Sequence, residues 1–247
     1  MTQEKIATPD RELMIDDVAR LVSIESPSLD IEALTKSAHE LALMMEQRLG
    51  SSATLIDSIA GPHVHWTGGG ESKVLIVGHH DTVFPKGALA VRPFTVDGDI
   101  ATGPGIFDMK AGIVQAIHGV AALDDKSGVE ILITSDEEVG SVHSRDLIIE
   151  RAKACGAVLV LEPSADGGAL KTARKGTGTF ELHVHGRASH AGLEPEKGVN
   201  ALVEASSQIL RINTFGNADL GTTALFTGAF MLLACDSRIR GNSQFNP

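Results

Sequence analysis

The sequence predicts an α/β protein: a mostly parallel sheet with flanking helices, followed by the start of a smaller α+β domain. Three observations carry this reading. Residues 73–77, 129–134 and 157–161 are short, continuous apolar runs of the kind that form strands covered on both faces. Segments with helical spacing, 109–123 and 144–154, alternate with them, which is the order of a parallel sheet joined by right-handed crossovers. From about residue 177 the texture changes, and 179–186 (TFELHVHG) alternates apolar and polar, as an antiparallel strand with one wet face does.

Taken in order, residues 11–21 and 31–49 read as helices. In the second, Leu34, Ala38, Leu41 and Met45 recur at intervals of three and four, and Gly50 follows as a stop. Residues 52–66 are mixed and are expected to carry one or two strands. After the three strand–helix repeats and the alternating stretch, 198–210 reads as one more helix. The expected domains are 1–176, which holds the sheet, and 177–247, a partial α+β lid or dimerisation domain with an atypical tail from about Ala224.

Composition narrows the function. With 43% hydrophobic residues in 247, a sizeable core is expected rather than disorder. A formal net charge of −11 argues against nucleic acid as a partner. Cys155 and Cys235 are too few for a disulfide framework or a cysteine–zinc cluster, so a metal would have to use His, Asp and Glu. The opening MTQEKIATPDRELMIDD has no apolar h-region, and no run of 18 apolar residues occurs, so a cytoplasmic, non-membrane location is expected.

Ligands of parallel α/β sheets collect at the carboxyl ends of the strands. Here the three apolar runs end in GHHD (from Gly78), SDEE (from Ser135) and Glu162-Pro163, and Asp108 lies in the loop GPGIFDMKAG before a helix. A lone buried histidine is more often a satisfied core residue than a ligand, but four converging positions point to a site. Residues i and i+2 of a strand face the same way, so His79 and Asp81 share one side while His80 faces the other. His79 then suits a ligand, Asp81 its orienting carboxylate, and His80 a structural role. Glu137 and Glu138 are adjacent and cannot share one role; one can bind metal while the other reaches a bound water. A set of His, Asp and Glu without Cys suits one or two zinc-like ions. The spacings His63-x-His65 and His183-x-His185 are ligand-like too, but their alternating stretches are better read as solvated strand faces.

The ordered motifs GHHDTV, GPGIFDMKAG, TSDEEVGS, LEPS and GRASHAG resemble the signature set of the di-zinc metallopeptidase and deacylase family. FPKG after HHDTV and the run LEPEKGVNALVEAS are most similar to its glutamate carboxypeptidase branch. The resemblance covers roughly 16–223. It implies a zinc exopeptidase-like fold and hydrolysis of the amide bond of a small N-acyl amino acid, glutamate-like, by water activated between two zinc ions, with cobalt or manganese as alternatives. Matched position by position, it implies His79 and Glu162 on one zinc, Glu138 on the other, Asp108 bridging both, Asp81 orienting His79 and Glu137 as general base. His190, in SHAG, matches a histidine that in the family comes from the smaller domain of the partner subunit and stabilises the oxyanion. A homodimer through the smaller domain is implied by the same resemblance.

The sequence departs from the family after Thr223, where ALFTGAFMLLACDSRIRGNSQFNP carries none of the expected pattern. The family's further zinc-binding histidine near the C-terminus finds no match, which leaves Asp108 and Glu138 on the second metal. A frameshifted or truncated reading from about Ala224 is expected. The alternative to the enzyme is therefore an inactive fragment that binds at most one metal.

Overall fold

The computed structural model describes residues 7–173, 176, 178 and 180–223, which fall in two compact units divided between Thr172 and Ala173. In the first unit, helix α1 (Arg11–Ser23) opens on Asp10, whose carboxylate accepts from the N–H groups of Glu12 and Leu13. Helix α2 (Ile31–Leu49) opens on Asp30 in the same way and closes on Gly50 at φ +81°, a conformation that glycine adopts without strain.

Five strands form one mixed sheet: β1 (Thr54–Ile56), β2 (His63–Thr67), β3 (Val74–His79), β6 (Val129–Thr134) and β7 (Ala157–Val160), in the order β1-β2-β6-β3-β7. The strands β6, β3 and β7 are parallel, and β2 and β1 extend the sheet antiparallel. Between β3 and β6 the chain makes the short helix α3 (Ala88–Val91), a hairpin of β4 (Thr95–Asp97) and β5 (Ile100–Thr102), a π-turn over Ile106–Lys110, and helix α4 (Ala111–Ala121). Helix α5 (Arg145–Ala154) connects β6 to β7.

The core lies on the α1, α2 and α4 side. Leu21, Leu41, Met45, Trp66, Ile113, Ile117, Ile131 and Ile133 are buried together there, and a fully buried side chain of this size contributes about 1.5–3 kcal/mol. Alternate residues of β3 and β6, Leu75, Val77 and Leu132, face α5 through Leu147 and Ile148. Inside the helical layer, Asp17 is fully buried and accepts from Arg48 (2.7 and 2.9 Å) and Arg20 (3.1 Å), and its Oδ2 lies 2.8 Å from His118 Nε2.

Two expectations are corrected. The run 157–161 is not covered on both faces: β7 lies at the sheet edge, and Val158, Leu159 and Val160 are 42–57% exposed. Its apolar character matches that of β3, but among the described residues β7 has a strand neighbour on one side only and α5 buries little against it. In the second unit, the described residues 180–186 form no strand. An alternating pattern specifies a face, but a strand also needs a partner to fill its ladder, and the pairing next to this segment among the described residues is an isolated bridge between Arg187 and Val199. Helix α6 (Ala201–Asn213) follows, capped by the Asn200 side chain. The tail from Ala224, with Cys235, lies outside the described residues. Among the described residues no helix is long and apolar enough to cross a membrane.

Candidate metal centre

The carboxyl ends of β3, β6 and β7 and the π-turn before α4 bring six predicted residues together. His79 is the last residue of β3 and is 1% exposed. Its Nε2 lies 3.0 Å from Asp108 Oδ1, 3.3 Å from Glu162 Oε1 and 4.0 Å from Glu137 Oε2. One ligand atom each from His79, Asp108 and Glu138 lie within 4.8 Å of one another, as do those of His79, Glu137 and Glu162. The Asp108 and Glu137 side chains are about half exposed and Glu162 is 21% exposed, so the cluster is a cup with a buried nitrogen at its base and carboxylates around an open side.

Local sequence explains the placement. Gly105, at φ +70°, turns the chain into the π-turn that presents Asp108, and a Cβ there would meet the Thr82 methyl at 2.6 Å. Gly112 lets α4 pass against the end of β7: a Cβ would lie 2.2 Å from the carbonyl oxygen of Leu161, the residue before Glu162. The Asp108–Met109 peptide bond is cis. The loop after β6 is closed by Asp136, whose Oδ2 accepts from the N–H groups of His143 (2.7 Å) and Ser144 (3.3 Å).

Asp81 lies beneath the cup. Its Oδ1 accepts from the Glu137 N–H and its Oδ2 from the Glu138 N–H, each at 3.2 Å, and Oδ2 also accepts from the Ser28 hydroxyl at 2.8 Å. Burial pushes the Asp81 carboxyl up, but His79, Ser28 and the Glu137 amide hold it below the usual range. Burial likewise pulls His79 down, yet Asp81 and then Glu137 outweigh it and raise His79 to about 9. Glu138 and Glu162 are both raised, by burial first and by the neighbouring Asp108 charge second. Carboxylates held this close repel one another unless a cation or protons separate them.

His80 points away from the cup, with its Nε2 3.1 Å from the Pro62 carbonyl and its Nδ1 3.1 Å from the Ser37 hydroxyl. The ring is therefore neutral with its proton on Nε2, and burial lowers it to about 4. The solvated reading of His63 and His65 is corrected. His63 is 2% exposed against Ser135, and His65 is half-buried 2.9 Å from the buried Glu130, so neither lies on a solvated strand face. His183 is exposed beside Glu181. His190 belongs to the second unit and is exposed; its Nδ1 accepts from the N–H groups of Gly192 (3.2 Å) and Leu193 (3.1 Å).

Sequence reasoning missed Ser28, Lys110 and Asp136. Asp136 stands beside the two glutamates that drew notice, and Lys110 two residues after Asp108. The Lys110 ammonium, 2% exposed, donates to the carbonyls of Leu21 and Ile24. Ser28 carried no signal in the sequence.

The sequence profile of Peptidase family M20/M25/M40 matches residues 75–239, more than half of the chain. The chain belongs to this family. The match runs past Thr223 to residue 239, further than the motifs themselves extend. Carboxypeptidase G2 of Pseudomonas sp. strain RS-16 is 38% identical over 216 residues, 83% of this chain and 52% of that protein. A succinyl-diaminopimelate desuccinylase of Wolinella succinogenes is 30% identical over 156 residues, 59% of this chain and 42% of that one. Among solved structures, an M20 family metallo-carboxypeptidase from Sulfolobus solfataricus gives a TM-score of 0.53 at 22% identity, over 64% of this chain and 39% of that chain. A tripeptidase from Staphylococcus aureus gives 0.56 at 17% identity, over 84% and 58%. The chain spans about half the length of the curated relatives it matches. The M20 family relatives are metal-dependent hydrolases, and the α/β architecture is theirs.

Proposed function

We propose that the chain carries the metal centre of a hydrolase that cleaves the amide bond of a small N-acyl amino acid, glutamate-like, with two zinc ions as the metal. The observation that carries the reading is the buried His79 Nε2 facing carboxylate oxygens from three separate loops at 3.0–4.0 Å. The donor set fits a divalent ion: one imidazole, several carboxylates, no thiolate, an open side, and two carboxyls, Glu138 and Glu162, that burial and then the neighbouring Asp108 charge push up. Cobalt or manganese suits the same donors.

In this reading His79 and Glu162 would hold one ion and Glu138 the other, with Asp108 as a shared ligand. When bound, the metal would supply a polarised carbonyl and a water whose pKa is brought down to about 7. The chain's own groups do the rest. Asp81 fixes the His79 ring and, through both amide bonds, the Glu137–Glu138 turn. Glu137, on the open side, takes the proton of the attacking water and later hands it to the leaving amine. His190 supports the oxyanion: because its Nδ1 accepts two N–H groups, the neutral ring carries its proton on Nε2, where it can donate. The family resemblance supports a homodimer through the smaller domain, which would bring this histidine from the partner.

The curated relatives include a carboxypeptidase and several desuccinylases, which supports an N-acyl amino acid as substrate rather than a protein. They do not favour an inactive fragment over the hydrolase. Zinc-loaded chain should release glutamate from N-acyl glutamates, lose this on chelation and regain it on adding zinc. Absence of turnover in a zinc-loaded chain that retains its folded circular-dichroism spectrum would sink the proposal.

A further inference from the structure

We infer that Ser28 is a positioning residue for the metal centre and that it acts through Asp81. The connection between α1 and α2 lies alongside the segment that follows His79. Ser26 Oγ donates to the His80 carbonyl at 2.6 Å, Thr82 N–H donates to the Ser26 carbonyl at 2.9 Å, and Ser28 N–H donates to the Thr82 carbonyl at 3.2 Å. Pro27 and Thr82 form a parallel bridge. This backbone lacing delivers the Ser28 hydroxyl to Asp81 Oδ2 at 2.8 Å.

The Asp81 carboxylate is otherwise held only from the site side. Oδ1 faces His79 Nδ1 at 3.4 Å and the Glu137 amide, and Oδ2 accepts from the Glu138 amide. All of those partners belong to the segments that carry the proposed ligands. Among the described residues, Ser28 is the one group that ties this carboxylate to a part of the fold that holds no ligand. Two hydrogen bonds converging on Oδ2 from different elements fix rotation of the carboxylate, and with it the direction of Oδ1. Lys110 anchors the opposite side of the same connection through the Leu21 and Ile24 carbonyls, so the α1–α2 connection is tied to the Asp108 turn as well. Removing the Ser28 hydroxyl leaves the Asp81 charge in place and frees only its orientation.

The inference rests on His79 being a metal ligand, so its test reads metal affinity rather than turnover. Zinc is titrated against a competing chelator into the wild-type chain and into the Ser28→Ala, Ser28→Thr, Asp81→Ala, Ser28→Ala/Asp81→Ala and His79→Ala variants. Outer residues that orient ligands affect affinity about 10–100-fold, and one step further out the expected loss for Ser28→Ala is roughly threefold to tenfold. Ser28→Thr keeps the hydroxyl and restores affinity, and Ser28→Ala adds no further loss in the Asp81→Ala background. Unchanged zinc affinity in Ser28→Ala, beside a clear loss in His79→Ala, overturns the role of Ser28 alone. Losses that add in the double variant overturn the route through Asp81. A His79→Ala chain that binds zinc as wild type does overturns the metal-centre reading, and the role of Ser28 with it.

Discussion

The Nδ1 of His79 lies 2.9 Å from the backbone carbonyl of Asp81 and 3.4 Å from its carboxylate. The carbonyl is the shorter acceptor, so the main chain itself fixes the proton on Nδ1 and leaves Nε2 free to face the cup. The carboxylate then serves two tasks: it supports the ring electrostatically and it receives both amides of the Glu137–Glu138 turn. Loss of the carboxylate should therefore leave the tautomer intact and disturb the glutamates. Asp81→Ala is expected to weaken zinc binding about 10–100-fold, less than His79→Ala, and nitrogen NMR of the histidine ring should still report the same tautomer.

Zinc binding should depend on pH with a definite sign. His79 is raised to about 9 in the metal-free chain, and a ligand must be neutral, so binding below that pH displaces a proton. Apparent affinity should climb about tenfold per pH unit up to roughly pH 9, and calorimetry in buffers of different ionisation enthalpy should show about one proton released from His79 at neutral pH. The same group stabilises the metal-free fold fully below its unfolded value of about 6.5, and that contribution is lost as pH rises through about 9. An affinity that is flat from pH 6 to 9 would show that His79 is not a ligand.

Glu137 and Glu138 are adjacent in sequence and should separate in function. Glu137→Gln is expected to keep its zinc content while lowering kcat about 10²–10⁴-fold, the usual contribution of a general base. Glu138→Ala should lose zinc before it loses anything else. Elemental analysis beside steady-state kinetics checks both, and equal zinc loss in the two variants would return Glu137 to the ligand set that its position near His79 and Glu162 also allows.

Stability should hinge on Asp17. Its carboxylate faces two arginines and His118 from within the helical layer. Burial pushes it up, but Arg48 and His118 hold it below the usual value, so the stability it contributes is present above about pH 3.9 and lost as pH falls. Asp17→Ala should destabilise by about 3–5 kcal/mol, because Arg48 is left partly buried without its partner. Urea titration at neutral and acid pH measures both the size and the sign.

Gly112→Ala tests how tightly α4 meets β7. The added methyl would lie 2.2 Å from a carbonyl oxygen that cannot move without shifting Glu162. A loss of about 1–3 kcal/mol is expected, together with weakened zinc binding. Unchanged values of both would show that α4 moves away freely.

Some of this was legible in the sequence and some was not. Helix α2 and strand β6 end where their apolar patterns end, because strong periodicity and Gly50 punctuate them. The helix expected from Met109 instead begins at Ala111, since residues 106–110 turn as a π-helix to present Asp108. The β4–β5 hairpin was missed although Asp97-Gly98 is a turn signal. The apolar text of residues 157–161 could not reveal an edge position, because apolarity reports what a strand prefers rather than what lies beside it. At the site, residues on strand ends were visible through their ordered motifs. Ser28 was not, because its partner lies 53 residues away and a serine before a helix has many ordinary uses.

The parallel register of β6, β3 and β7 has a metrological consequence. Gly78 pairs with Ile133, His79 with Thr134, and Val77 with Val160, so three neighbouring strands finish nearly level. Adjacent strands in any sheet stand about 4.8 Å apart, whatever their side chains. The spacing at which the bordering loops leave the sheet is thus borrowed from the backbone's own repeat. The loops that carry Asp108, Glu137, Glu138 and Glu162 then set the finer distances, so the cup keeps its shape only while both the strand alignment and those turns hold.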